Sequence, residues 1–158
     1  MAYFTAVVVQ SGTHWKARDI EIDEAESLDE LVDVLRGAAG GSGTALAMFE
    51  HEDEWFAIVR ADGDDDPRLF VSNLEAASHS IFAGVIGSES EADGVEVEED
   101  EVEPADEMWA GEIDLLSDLG VSGPALHQLV DQCSDDPGAA LTQISETIGF
   151  GDLLQSLR

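Results

Sequence analysis

Phe49-Glu50-His51-Glu52-Asp53-Glu54-Trp55-Phe56-Ala57-Ile58-Val59-Arg60 runs on through Ala61 to Pro67 into Arg68-Leu69-Phe70-Val71-Ser72. The stretch reads as strand, acidic turn, strand, acidic turn, strand. Side chains alternate across a strand, so Trp55, Ala57 and Val59 point to one face and Phe56 and Ile58 to the other. A strand that is apolar on both faces belongs in the middle of a sheet that is covered on both sides. Two helices on one side would leave the other face bare, and an exposed apolar face of that size marks an interface. The second face therefore calls for a cover: another helix, the C-terminal part of the chain, or a second chain.

Working outward, Tyr3 to Gln10 is rich in β-branched and aromatic residues and predicts a strand. His14 to Ile22 predicts its hairpin partner across Ser11-Gly12-Thr13. In that partner Lys16 and Arg18 alternate with Trp15 and Ala17, as on a half-solvated strand. Ser27 opens a helix, with Glu30 completing a capping box. Leu28, Leu31, Val32 and Leu35 form one apolar stripe, and Gly37 is the expected C-cap. Gly37 to Gly43 is expected to be a flexible loop, and Thr44 to Glu50 the next strand. Asn73 can cap a second helix over Leu74 to Phe82. The N-terminal order is ββαβββα.

Ser88-Glu89-Ser90-Glu91-Ala92-Asp93-Gly94-Val95-Glu96-Val97-Glu98-Glu99-Asp100-Glu101-Val102-Glu103-Pro104 is low in complexity and dominated by acid. Its like charges repel, and its apolar content does not repay ordering, so 84–107 reads as a disordered linker. Beyond it Ile113, Leu115, Leu116 and Leu119 mark a short helix stopped at Gly120. Ser122 caps a second, with Pro124 in its first turn and Leu126, Leu129, Val130 and Cys133 inward. Asp136 before Pro137 opens a third, with Ala140, Leu141, Ile144 and Ile148 as its stripe and Gly149 as its stop. Leu153, Leu154 and Leu157 close the chain in a short helical turn. The fold class is α+β: a five-stranded, largely antiparallel sheet with two helices over 1–83, the linker over 84–107, and a small helical bundle over 108–158.

Charge sets bounds on function. The 158 residues hold 36 acidic and 6 basic side chains, a net charge of -30. Phosphate binding depends on Lys and Arg neutralising charge, so direct nucleic-acid binding is excluded as an expectation, and attraction to an anionic membrane falls on the same ground. A basic protein partner is the charge-compatible one. The lone Cys133 allows no internal disulfide and fits a reducing cytoplasm. The apolar run at Tyr3 to Val9 has no basic residue ahead of it and is too short for a signal-peptide core.

No catalytic, cofactor or metal set emerges from spacing. Gly40-Gly41-Ser42-Gly43 lacks the Lys and Ser/Thr of a phosphate loop, and it follows a helix instead of opening one. Asp62-Gly63-Asp64-Asp65-Asp66-Pro67 begins like a calcium loop, but Pro67 and Asn73 stand where Gly and Glu are needed. His51-Glu52 starts like a zincin motif, yet Trp55 occupies the second histidine's place. His14, His79 and His127 have no metal-ligand spacing with Cys or with one another. No Gly-x-Ser-x-Gly occurs, and Cys133 sits at core spacing. The chain is read as non-catalytic. The expected contact residues are the hairpin tips: His51, Glu52, Asp53, Glu54 and Trp55 at one turn, and Asp64, Asp65 and Asp66 at the other.

Met1 to Val9, the block Glu50 to Arg60, Pro67 to Ser72, Asp114-Leu115-Leu116-Ser117-Asp118-Leu119-Gly120 and Gly149-Phe150-Gly151-Asp152-Leu153-Leu154-Gln155-Ser156-Leu157-Arg158 resemble the tRNA adenosine deaminase-associated proteins of actinobacteria. The resemblance implies association with the wobble-adenosine deaminase and brings no catalytic residues to carry over. Zinc-dependent deaminases need His-x-Glu and Pro-Cys-x-x-Cys. This chain has neither, so it is not the deaminase. An accessory protein that contacts the enzyme is the first expectation. A homodimer pairing its apolar sheet face is the second, and an enzyme with an acidic site the third.

Overall fold

The structure, a computed structural model, describes residues 3–11, 14–18, 28–40, 43–51, 55–62, 68–73, 110–111, 113–132 and 136–157. The expected linker, the expected helix over Leu74 to Phe82, and Cys133 lie outside them. Five strands form an antiparallel sheet: β1 (Tyr3–Ser11), β2 (His14–Arg18), β3 (Thr44–His51), β4 (Trp55–Asp62) and β5 (Arg68–Val71). A two-residue strand, β6 (Ala110–Gly111), adds a sixth, which the sequence did not announce. The sheet order is β2-β1-β3-β4-β5-β6, so β4 is interior, as its two-sided apolar pattern requires. Ser72 extends the β4–β5 pairing: its N–H donates to the Phe56 carbonyl at 2.9 Å and its hydroxyl accepts from the Phe56 N–H at 2.9 Å.

The alternation of β4 splits the core in two. Trp55, Ala57, Val59 and Ala61 lie with Val7, Val9, Ala45, Ala47, Phe49, Leu69 and Val71 beneath helix α1 (Leu28–Ala38). Leu31, Val32 and Leu35 are its buried stripe, as the i, i+3, i+4, i+7 spacing predicts. Gly37 is not the cap. The helix continues through it, and the chain turns out at Gly40, whose φ of 77° lies in the region a glycine adopts at least cost.

The opposite face, Ala6, Val8, Leu46, Met48, Phe56, Ile58 and Phe70, is covered by the C-terminal part of the same chain. There α2 (Gly123–Gln132), α3 (Pro137–Ile148) and α4 (Gly151–Leu157) supply Leu126, Ala140, Leu141, Ile144 and Leu154, and the link between α3 and α4 adds Phe150. This removes the ground on which a self-paired sheet face was expected: the apolar face exists, and the chain covers it itself. The sheet is thus the middle layer of three, and the C-terminal helices share its core.

Local signals set the helix ends. The Asp136 side chain accepts from the Ala139 N–H at 3.1 Å, with Pro137 in the first turn. The Ser122 hydroxyl accepts from the Ala125 N–H at 3.3 Å. Gly149, at φ 121°, ends α3, and the N–H groups of Gly149 and Phe150 both reach the Ser145 carbonyl at 2.8 Å. The expected helix at Ile113 to Leu119 is instead a turn followed by a 3-10 helix, Ser117–Leu119. The hydrogen bonds differ accordingly. An α-helix would have the Leu119 N–H donate to the Leu115 carbonyl. That carbonyl instead accepts from the Arg60 guanidinium, and the Leu119 N–H donates to the Leu116 carbonyl at 2.9 Å.

Candidate interaction surface

Trp55 is buried at 1% exposure in the α1-side core, so its indole is a packing residue. His51 is the last residue of β3, and its backbone pairs with Trp55 and with Tyr3. Glu52, Asp53 and Glu54, and likewise Asp64, Asp65 and Asp66, lie outside the described residues. Topology nevertheless separates the two acidic turns. One joins β3 to β4 after His51, and the other joins β4 to β5 after Asp62, at the other end of the same strand. Eight residues of β4 lie between them, about 24 Å at roughly 3.4 Å per residue. The strand ends from which the two turns leave therefore lie at opposite ends of β4.

The structure does bring together a charged cluster that the sequence reading missed. Arg60, at 5% exposure, follows Phe56 and Ile58 on the face turned toward the C-terminal helices. Its Nη1 and Nη2 donate to Asp118 Oδ1 and Oδ2 at 2.7 and 2.8 Å, a two-pronged bond to one carboxylate. Its Nε donates to Asp62 Oδ1 at 3.0 Å, and Nη1 also reaches the Leu115 carbonyl. Thr44 Oγ1 donates to the same Asp62 oxygen at 2.6 Å. Arg68, which pairs with Arg60 across β4 and β5, donates to the Asp114 carbonyl at 3.3 Å. Two adjacent strands thus each hold the segment 114–118 through an arginine.

The electrostatics follow the geometry. The bond from Arg60 holds the Asp118 carboxyl below its ordinary range, outweighing a modest opposing effect of burial. The bond to Asp118 raises the Arg60 pKa further, against the opposing cost of burying the guanidinium. The one available sequence signal was that Arg60 is a cation ending an apolar run, on the parity of Phe56 and Ile58. Asp118, 58 residues away, carried none.

The cluster has the chemistry of a clamp. A guanidinium pinned by two carboxylates is a permanent charge with its donors engaged, neither a base nor a nucleophile. Among the described residues, no group of three or more His, Cys, Asp or Glu side chains is placed to hold a metal ion. Open clefts are found among the described residues. One, of about 440 Å³, lies between the edge strand β2 and the α3–α4 junction and is lined by His14, Trp15, Phe150, Asp152 and Leu153 among others. The Trp15 and Phe150 rings meet at 5.1 Å and 48° on its wall. Another, of about 220 Å³, is uncharged and is lined by Gln128, Gln132, Gln143 and Thr147 with apolar neighbours. No helix among the described residues is long and apolar enough to cross a membrane.

Comparison with known proteins agrees with the resemblance seen in the hairpin block. A family model described as Rv3753c-like tRNA adenosine deaminase-associated protein matches residues 3–151. Protein Rv3753c of Mycobacterium tuberculosis is 26% identical over 154 residues, covering 98% of this chain and 86% of that protein. No solved structure matches the chain. With the match running from β1 to the start of α4, the chain belongs to the Rv3753c-like tRNA adenosine deaminase-associated proteins.

Proposed function

We propose that this protein is a non-catalytic accessory protein of the tRNA wobble-adenosine deaminase, acting in the cytoplasm by protein–protein contact through its acidic surface. Its family is described as deaminase-associated, and that description is what points to the enzyme. The observation that carries the mode of contact is the surplus of exposed acid. Arg60 is turned inward onto Asp62 and Asp118, while Asp29, Asp33, Asp131, Glu146 and Asp152 stand exposed. With both sheet faces covered, what the protein offers a partner is mainly negative charge.

A deaminase that handles tRNA must carry basic surface, because gripping phosphates requires Lys and Arg. Complementary charge accelerates encounter and selects the partner. The acidic turns, Glu52 to Glu54 following His51, and Asp64 to Asp66, are the proposed contacts, with Trp55 left to the core; the ends of β4 from which they leave are about 24 Å apart by strand length. Docking there would regulate tRNA access or stabilise the enzyme without any chemistry by this chain.

Mixing the two purified proteins at low and moderate salt and reading the complex by gel filtration tests the proposal. The expected result is a complex whose affinity falls as salt rises, because surface charges are screened within about 10 Å at 0.1 M. Absence of a complex at both salts overturns it. Reversing Glu52, Asp53 and Glu54 to Lys should weaken binding about tenfold if that tip is the contact. The same reversal at Asp64, Asp65 and Asp66 identifies the other.

A further inference from the structure

We propose, resting on the reading of a basic protein partner, that the cleft between β2 and the α3–α4 junction receives an arginine side chain of that partner. Trp15 is half-buried on β2, and its ring meets that of Phe150 at 5.1 Å between centres. Phe150 is itself 1% exposed, so it backs Trp15 and leaves the indole as the aromatic surface of the wall. Asp152, exposed in the first turn of α4, lines the same cleft. Among the described residues its carboxylate has no hydrogen-bond or ionic partner. The Glu146 side chain packs against Gly151, the residue before Asp152, so a second exposed carboxyl belongs to this junction.

The backbone there has the same sign. The last carbonyls of a helix lack helical donors and carry the negative end of its dipole. Ile148 ends α3 and lines the cleft with Gly149, and no basic residue stands in the last turn of that helix. The opposite sign at the start of α4 is offset by Asp152 itself. No Lys or Arg is among the described residues that line the cleft, and His14 is the one lining group that can gain positive charge.

These features select the occupant. A calcium or magnesium ion needs several oxygen ligands, and one free carboxylate lines the cleft. An apolar side chain would bury Asp152 without a partner. A guanidinium satisfies both walls: its plane stacks on the indole, and its fork of donors bonds a carboxylate at two points. A lysine ammonium brings the charge but neither the plane nor the fork. At about 440 Å³ the cleft falls within the roughly 300–1,000 Å³ of sites that take small groups.

The sheet register adds a location. Gln10 pairs with Trp15, and one residue back Val9 aligns with Ala45 and Ala45 with Ala61. The cleft is therefore level with the Asp62 end of β4, three strand spacings away, about 14 Å. Of the two ends of β4, a partner docked over the one at Asp62 is the one placed to insert an arginine here.

Nuclear magnetic resonance of the full-length chain provides the test. The chain has three tryptophans, and the indole N–H signal lost in Trp15→Phe is that of Trp15. N-acetyl-arginine amide, titrated at constant ionic strength, should move that signal to saturation. Its neutral isostere, N-acetyl-citrulline amide, should bind about fivefold more weakly. Asp152→Asn, an exposed and conservative change, should weaken arginine about threefold and leave citrulline unaltered. No saturable shift, equal affinities for arginine and citrulline, or indifference to Asp152→Asn would each overturn the inference. With the purified deaminase at low salt, Asp152→Lys should weaken the complex about fivefold. A complex indifferent to Asp152→Lys overturns the inference and leaves the accessory role standing. Arginine bound at Trp15 with no deaminase complex overturns that role instead, and keeps the guanidinium site for a different basic partner.

Discussion

The two faces of the sheet are covered by different means. On one, an eleven-residue helix sits over a floor rich in small side chains, Ala45, Ala47, Ala57 and Ala61, and is connected directly to its neighbours in sequence. On the other, larger side chains, Leu46, Met48, Phe56, Ile58 and Phe70, meet segments from beyond residue 112. The near helix lays down the apolar stripe of Leu31, Val32 and Leu35. The distant layer adds polar anchors, with Arg60 and Arg68 holding the stretch 114–118. Closing a long loop costs more chain entropy than closing a short one, though slowly with length. What the distant layer additionally requires is a fixed register, which two directional arginine bonds supply and a greasy contact alone does not.

Substitutions can break this comparison. The largest effect is expected from Phe56→Ala, which empties the centre of the distant-layer core beside Phe70, 5.9 Å away between ring centres. It should cost about 3–5 kcal/mol in urea unfolding. Leu35→Ala, under the near helix, should cost about 2–5 kcal/mol by the same measurement. If the two faces melt as one, both variants keep a single transition; two transitions in either would show that the layers are separable.

Arg60→Met keeps the apolar stem and removes the clamp. Asp62 and Asp118 are 22% and 60% exposed, so water can take up their charges, and the expected cost is about 1–3 kcal/mol, mainly for the Leu115 carbonyl left without its donor. A neutral result would reduce the clamp to decoration and leave packing alone to set the register. Asp136→Ala tests a purely local device in the same layer and should cost about 1 kcal/mol.

The smallest effect concerns pH. The Asp118 pKa is depressed in the folded state, so its bond to Arg60 contributes stability above the ordinary carboxylate pKa and loses it as pH falls through the lower folded value. Thermal unfolding followed from about pH 5 downward should therefore show a steeper loss for the wild type than for Asp118→Asn. Parallel curves would mean that the ion pair contributes nothing in solution.

Much of the architecture was legible because it is written in short periods. Alternation at Trp55 to Val59 marks a strand dry on both faces, and alternation at His14 to Arg18 marks a half-solvated strand. The stripe Leu31, Val32, Leu35 and the signals at Asp136 and Gly149 give helices and their ends. Each rests on neighbours within about four residues, which the backbone geometry itself brings together. The candidate contact tips were legible as charge but not as a site. Only topology shows that one β4 strand holds them apart, and only burial shows that Trp55 faces α1.

By itself, then, the sequence determined the α+β class, the five main strands, most helix ends, the acidity and the family. Tertiary structure alone decided that β1 lies between β2 and β3, that Ala110–Gly111 extends the sheet, and that the C-terminal helices cover its second face. It also decided that Arg60 meets Asp118 and that Ser117–Leu119 is a tighter turn than its apolar spacing implies. The physical reason is common to all four. They are contacts between residues far apart in the chain, fixed by which surfaces bury each other, and local periodicity shows that a face must be covered but not what will cover it.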